Sequence, residues 1–318
     1  MAKNSSQLKG ALILLSTSVI WGSAFVAQSA GIEKVDAFTF SGIRTVIGAL
    51  FLFIFIVIRD AVTAKKLTPG EKILRKKGNK KALIYGSVLG VVLCAATNFQ
   101  QFAFYDSTPG KIALITALYM FFVPIIGLFF KKKVPVVMWF CVAAGFVGLY
   151  FLCIDPSESF RINRGDLLAL ICAILFSVQI LLVERYAPLA DGIKISCVEF
   201  AVSGVLSCIL MFIFEKPVVS NIVSAWLPIL YAGILSTGVA YTLQIVGQRM
   251  CEATVASLMM CAESVFAVLT AAIVLGQVPS AREGIGCLIM FAAIVVSQVA
   301  EPVAAKIKRR RQLKKEDQ

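Results

Sequence analysis

Residues 110–153 read GKIALITALYMFFVPIIGLFFKKKVPVVMWFCVAAGFVGLYFLC. Two apolar runs, 110–130 and 134–153, flank Lys131-Lys132-Lys133. Each run is about 20 residues long, the length a helix needs to cross a hydrocarbon core of roughly 30 Å. The second run holds no amide and no carboxylate. The stretch therefore reads as two membrane spans joined by a basic turn. The pattern continues outward in both directions, with spans at 10–30, 37–58, 82–105, 166–187, 195–214, 224–247, 253–276 and 284–300. The expected fold is an all-α integral membrane protein with ten transmembrane helices. A soluble domain is about half apolar and a quarter charged, whereas this chain of 318 residues is 59% hydrophobic and 15% charged. The first span ends near Ala27-Gln28-Ser29-Ala30, which has the small residues of a signal-peptide cleavage site. Its long apolar region, weakly basic start and the spans that follow favour a retained helix.

There is no histidine, which removes the usual zinc ligands, the Ser-His-Asp triad and the commonest proton shuttle. Cys94, Cys141, Cys172, Cys197, Cys208, Cys261 and Cys287 fall within apolar runs, with Cys153 and Cys251 near their ends. They read as small buried hydrophobes rather than disulfides. No cofactor and no metal site is expected.

The net charge of +13 is unevenly placed. With the N-terminus inside, 24 of the 31 Lys and Arg lie on the cytoplasmic side, 6 lie outside, and Arg44 sits within a span. This bias puts both termini in the cytoplasm of a multi-pass inner (plasma) membrane protein. The basic runs 72–81 and 306–315 then read as topology determinants meeting anionic headgroups, not as a nucleic-acid site.

Halving the chain exposes a repeat between 10–153 and 166–300, joined by a linker at 154–165 and followed by a basic tail at 301–318. Phe121-Phe122-Val123 aligns with Phe266-Ala267-Val268 at a shift of 145, and Val134-Pro135 with Val278-Pro279 at 144. Tyr85 and Asn98 align with Tyr231 and Gln244 at 146, and Trp21 with Phe176 at 155. The larger first shift reflects the long 59–81 loop. An odd number of spans per half turns the second copy upside down, the arrangement that gives transporters one midplane site and two access states.

Polar residues at helical spacing mark the inward faces. Span one offers Thr17, Trp21 and Gln28; span three Asn98, Gln101 and Tyr105; span eight Thr237, Tyr241, Gln244 and Gln248. Span four adds Thr116 and Tyr119, and span six Phe176 and Gln179. Trp21, Gln28, Asn98, Gln101, Tyr119, Gln179, Tyr241 and Gln244 form the expected substrate cavity, against the alternative of hydrogen bonds that only join helices. Gly86 and Gly90 permit close helix approach, and Pro124 would kink span four. Spans five and ten look peripheral, as scaffold or as a homodimer contact.

A charge within a span costs about 2.5–3.5 kcal/mol on insertion scales and asks for a reason. Arg44 lies about 10 Å deep in span two, where it either fixes an anionic substrate group or serves structure. Glu199 aligns with it in the repeat but on the opposite side of the membrane. Glu263 lies near the midplane of span nine and is either the candidate for proton coupling or a neutral carboxylic acid bonded to a neighbouring helix.

Trp21-Gly22-Ser23-Ala24-Phe25-Val26 resembles the Trp-Gly motif of EamA-type transporters in the drug/metabolite transporter superfamily. Phe40 to Arg44, Gln100-Gln101, Leu118-Tyr119, Val123-Pro124, Gly165 to Leu170 and Ala253 to Gly276 resemble further motifs of that family in the same order. The resemblance covers about residues 10–300 and implies two inverted five-helix EamA repeats around a central cavity. It also implies export or exchange of amino acids, other metabolites or drugs. The family's helix-nine Glu-Pro is Glu263-Ser264 here, and its acidic residue after Leu-Gly is Gln277. A secondary transporter is thus expected, not an enzyme. A membrane enzyme would lack H-E-x-x-H and G-x-S-x-G motifs, and a sensor or scaffold would lack a sizeable extramembrane domain.

Overall fold

The structure, a computed structural model, describes residues 2–64, 68–107, 109–132, 134–154, 162–275 and 279–297. Residues 155–161 of the expected linker, Gln277 and the tail 301–318 lie outside them. No strand occurs among the described residues. The first half comprises α1 (Ala2–Ile32), α2 (Ala37–Ala64), α3 (Pro69–Ala103), α4 (Pro109–Thr116), α5 (Tyr119–Phe129) and α6 (Val136–Cys153). The second begins with α7 (Arg164–Tyr186), α8 (Gly192–Phe214), the short α9 (Val219–Ser224) and α10 (Trp226–Leu230). A π-helical segment, Tyr231–Tyr241, then leads through α11 (Thr242–Gln248) to α12 (Ala253–Met260) and α13 (Glu263–Leu275). Residues 281–297 form the last described helix, α14.

Nine helical stretches among the described residues are long and apolar enough to cross a bilayer. Their outward faces carry large apolar side chains, such as Phe53, Ile58, Phe140 and Phe212. In water such a surface would be a liability; against lipid it is the expected exterior. The chain is a multi-pass membrane protein.

Span three differs from its expected bounds. The segment 72–81 is not loop but the first turns of α3, which starts at Pro69. Thr68 caps it: its hydroxyl accepts from Glu71 N at 3.4 Å, and the Glu71 carboxylate accepts from Thr68 N at 2.8 Å. That reciprocal pair, with Pro at the first helical position, is a strong start signal.

The halves interlock rather than sit side by side. α2 packs on α8 and on the π-helical segment, α3 on α7 and α8, and α1 on α11, α12 and α13. The helices expected as spans five and ten meet each other: a Cβ on Gly148 would lie 2.8 Å from Met290 N, and one on Gly286 2.7 Å from the Gly148 carbonyl. Only glycines allow this approach of α6 to α14. Cap bonds fix the helix ends. The Glu215 carboxylate accepts from Phe38 N at 2.7 Å and Thr39 N at 2.8 Å, occupying orphan amides at the start of α2. Asn163 and Asp166 form a capping box on α7, and Asp166 also takes Lys111 at 2.5 Å.

Two spans are broken near their middles. α4 ends at Thr116 and α5 begins at Tyr119, with i→i+3 bonds from Leu118 N to Ile115 O and from Met120 N to Ala117 O. Pro124 withholds the amide that would bond the Met120 carbonyl, loosening this turn. α12 ends at Met260 and α13 begins at Glu263, with similar bonds from Ala262 N to Met259 O and Ser264 N to Cys261 O. No proline lies there, so the break expected of a Glu-Pro pair forms without it. Its support comes from α1: the Ser18 hydroxyl donates to Met259 O at 3.0 Å. Gly22 lets α1 press on the start of α13, where a Cβ would lie 2.5 Å from the Glu263 carbonyl oxygen and 2.7 Å from Ala267 N.

Gly22→Leu should therefore overpack backbone against backbone, costing about 1–3 kcal/mol or abolishing folding. Gly78→Leu, where a Cβ meets nothing within 4 Å, should leave thermal melting in detergent unchanged. Equal melting of the two variants would refute the packing role of Gly22.

Candidate functional site

The two breaks face one another. The Cys261 thiol, in the second, donates to the Ala117 carbonyl, in the first, at 3.8 Å. Beside them lies a cavity of about 40 Å³, room for a few waters. Tyr119 and Glu263, the first residues of α5 and α13, both line it. Two half-helices thus begin beside the same space.

Of the expected cavity residues, Trp21, Gln28, Tyr119, Tyr241 and Gln244 line this space, and so do Arg44 and Glu263. Asn98, Gln101, Gln179 and Glu199 do not. Asn98 instead joins α3 to α8, donating to Ser207 Oγ at 2.8 Å and to the Cys94 carbonyl at 2.7 Å. Gln101 is fully buried with neither amide atom bonded. Tyr105, expected on the same inward stripe, lies beyond the end of α3 and accepts from Ala37 N at 3.1 Å. The stripe stops where the helix does. The sequence reading missed Gln100, Phe25, Ser236 and Met260, all of which line the cavity. Gln100 sat beside Gln101 in sequence, and Ser236 lies in a π-helical turn whose wider pitch defeats a 3.6-residue count.

The π-helical segment is tied to α1 by side chains. Trp21 Nε1 donates to the Ser236 carbonyl at 3.3 Å and the Thr17 hydroxyl to the Ala240 carbonyl at 3.4 Å. Ser23 and Tyr231 share a 2.5 Å hydrogen bond between hydroxyls. The Trp21 and Tyr241 rings meet edge to face with centroids 4.7 Å apart. Together they fix the aromatic wall of the cavity.

Its electrostatics are unusual for a buried space. Arg44 is 3% exposed, lies 5.5 Å from the centre of the Phe40 ring, and its Nε has no hydrogen-bond partner. Neither Arg44 nor Glu263 joins an ion pair among the described residues. Glu199 and Gln179 lie behind the wall: Gln179 Nε2 donates to Glu199 Oε1 at 3.1 Å, and Gln244 Nε2 to Gln179 Oε1 at 3.1 Å. Gln28 Oε1 and Gln244 Oε1 are buried on the cavity without a partner, and Thr116 Oγ1 and Tyr119 OH have none beyond the neighbouring Cys172 and Cys261 thiols. Charge pairs close the structure at both ends of α4–α5 and α7. Lys111 pairs with Asp166 at one end, and Lys132 with Glu184 at the other. All nine cysteines are free thiols, and no cluster of metal-ligating residues occurs among the described residues.

Ser18→Ala should cost about 1 kcal/mol by removing the cross-helix donor at the second break. Ser16→Ala, whose hydroxyl bonds only the Leu12 carbonyl on its own helix, serves as the control in the same thermal melt. A null effect of Ser18→Ala would show that the break stands without α1.

The chain is similar to the uncharacterized transporter YoaV of Bacillus subtilis, 27% identical over 242 residues covering 74% of this chain and 77% of that one. It is also similar to an uncharacterized transporter of Archaeoglobus fulgidus, 26% identical over 304 residues, 93% of this chain and 88% of the relative. A solved crystal structure shares the fold, with a TM-score of 0.73 at 18% identity over 92% of this chain and 97% of the other. The EamA-like transporter family matches at residues 8–154 and again at 163–298, and with nearly the whole length matched in two copies the chain belongs to that family, within the drug/metabolite transporter superfamily.

Proposed function

We propose that this membrane transporter is a ten-helix secondary carrier of two inverted five-helix repeats, 10–153 and 166–300. It moves small polar metabolites, amino acids or drugs across the plasma membrane by alternating access, as an exporter or exchanger, with both termini in the cytoplasm. The observation that carries this reading is a cavity beside two related helix breaks, lined by Gln28, Arg44 and Gln244, each with a buried polar atom that lacks a protein partner. A membrane interior penalises such atoms heavily. A polar solute that supplies partners to the atoms on the cavity accounts for them better than helix adhesion does.

The packing supports two related halves, which the odd number of spans in each would place inverted. Exchanging each span with its counterpart in the other half turns α3 on α8 into the π-helical segment on α2. It likewise turns α5 on α7 into α13 on α1, and leaves α2 on α8 unchanged. The breaks at 117–118 and 261–262 are 144 residues apart, the shift that aligns Val134-Pro135 with Val278-Pro279. Broken helices meeting at a shared site are the membrane counterpart of helix-terminus ligand sites. In this reading Trp21, Tyr119, Tyr241, Gln28 and Gln244 contact the substrate. Asn98, Gln101 and Gln179 support that wall, and Arg44 faces the substrate's negative part. Glu263 exchanges a proton as the carrier changes sides.

Purified protein in proteoliposomes should show saturable flux for members of a broad metabolite panel; none would sink the transport reading. Glu263→Gln should retain substrate binding and abolish the pH dependence of flux. Unchanged flux with unchanged pH dependence would remove the proton-coupling role.

A further inference from the structure

Behind the cavity wall, three side chains form a line with a defined direction. Glu199 is completely buried on α8, and Gln179 completely buried on α7. Gln244 on α11 is 2% exposed and is the only one of the three on the cavity lining among the described residues. A carboxylate only accepts hydrogen bonds, whereas a glutamine amide carries donors on one side and an acceptor on the other. Held as a carboxylate, Glu199 can only accept; its Oε1 takes the 3.1 Å bond from Gln179 Nε2, and its Oε2 is buried without a partner. Gln179 is then left with its carbonyl facing Gln244, and it accepts from Gln244 Nε2, also at 3.1 Å. Gln244 in turn has its carbonyl oxygen on the side of the amide away from Gln179. That atom, Gln244 Oε1, is buried and without a partner.

We propose that Glu199 is a positioning residue that, acting through Gln179, locks the Gln244 amide with its carbonyl toward the cavity, so that the site selects substrates bearing a hydrogen-bond donor at that point. The inference rests on the transport reading of the cavity and deepens it. It gives Glu199 a role without contact with substrate, and it explains why a carboxyl group lies buried away from every cation in the ion pairs of the described residues. With Arg44 on the same cavity for an anionic group, the donor is best met by an ammonium carried next to a carboxylate. The aromatic and apolar wall of Trp21, Phe25, Phe176 and Ile180 would take an apolar remainder.

The relay makes a selective prediction that a merely structural role does not. In Glu199→Gln the terminal group has both donor and acceptor faces, so both glutamines are free to turn over. Gln244→Glu in the same background restores an obligate acceptor in the cavity without the relay. The matched probes are leucine and 4-methyl-2-oxopentanoate, which keeps the carboxylate and apolar tail but replaces the ammonium donor with a keto acceptor. Binding is read by isothermal titration of the full-length protein in detergent. Wild type should prefer leucine by about ten- to hundredfold, the difference expected when a charged donor is exchanged for an acceptor facing a buried oxygen. Glu199→Gln and Gln179→Leu should compress that preference to near unity, and Glu199→Gln with Gln244→Glu should recover it. A preference unchanged in both single variants but lost in Gln244→Ala would overturn the relay while leaving the cavity as the binding site. Equal binding of the two probes by wild type, or binding of neither, would overturn the donor selectivity itself. Binding unaffected by Gln244→Ala and by Trp21→Ala alike would place the ligand elsewhere and refute the cavity reading on which the relay rests.

Discussion

A backbone that stops being helical within a membrane must find partners for its freed carbonyls and amides without the help of water. The rest of this structure is arranged around that requirement at two places. At the first break the Ala117 carbonyl receives the Cys261 thiol; at the second the Met259 carbonyl receives the Ser18 hydroxyl. The Ser18 hydroxyl reaches its acceptor because α1 approaches the second break at Gly22, where no side chain intervenes. Satisfying the breaks from neighbouring spans brings α1, α4–α5 and α12–α13 together, and the cavity is the space their shortened ends leave.

The same geometry makes the two halves alike in shape and unlike in chemistry. The first break has Pro124 one turn into the following helix, with an uncharged phenol, Tyr119, at its start. The second has no proline and opens on Glu263, where the carboxyl lies in the first turn of α13. A carrier of two related halves needs equivalent shapes to expose its site alternately, but a bound solute stabilises one state only by interacting differently with each. The unequal chemistry of Tyr119 and Glu263 supplies such a difference on one side of the cavity. Arg44, whose guanidinium does not lose its proton in proteins, supplies a fixed charge on the other.

Much of this was legible in the sequence. The apolar runs gave the spans, because a hydrocarbon core dictates length directly. The offset pairs, such as Val134-Pro135 with Val278-Pro279, pointed to related halves, and Trp21, Arg44, Tyr241 and Glu263 were chosen because polar groups in a span need an inward reason. What escaped had physical causes. The segment 72–81 looked like loop because it is basic, yet Thr68-Pro69 and Glu71 start a helix regardless of polarity. The inward face of span three was extended to Tyr105, although the helix ends at Ala103. Ser236 was hidden by a π-helical stretch, and Asn98 and Gln179 bond within the protein instead of facing the cavity. Helical spacing reports which face points inward; it does not say whether a neighbour has already taken the group.

The lysine–carboxylate pairs at the two ends of α4–α5 and α7 differ in one further respect. The side chains of Lys111 and Asp166 are only 10% and 4% exposed, whereas those of Lys132 and Glu184 are 43% and 22% exposed. Mobile ions screen exposed charges within a Debye length of about 8 Å at physiological ionic strength, and buried pairs far less. The seam between α4–α5 and α7 is therefore open to the ionic composition of the medium at the Lys132 end and insulated from it at the Lys111 end. Salt on one face of the membrane can loosen this seam, while the same salt on the opposite face leaves it closed.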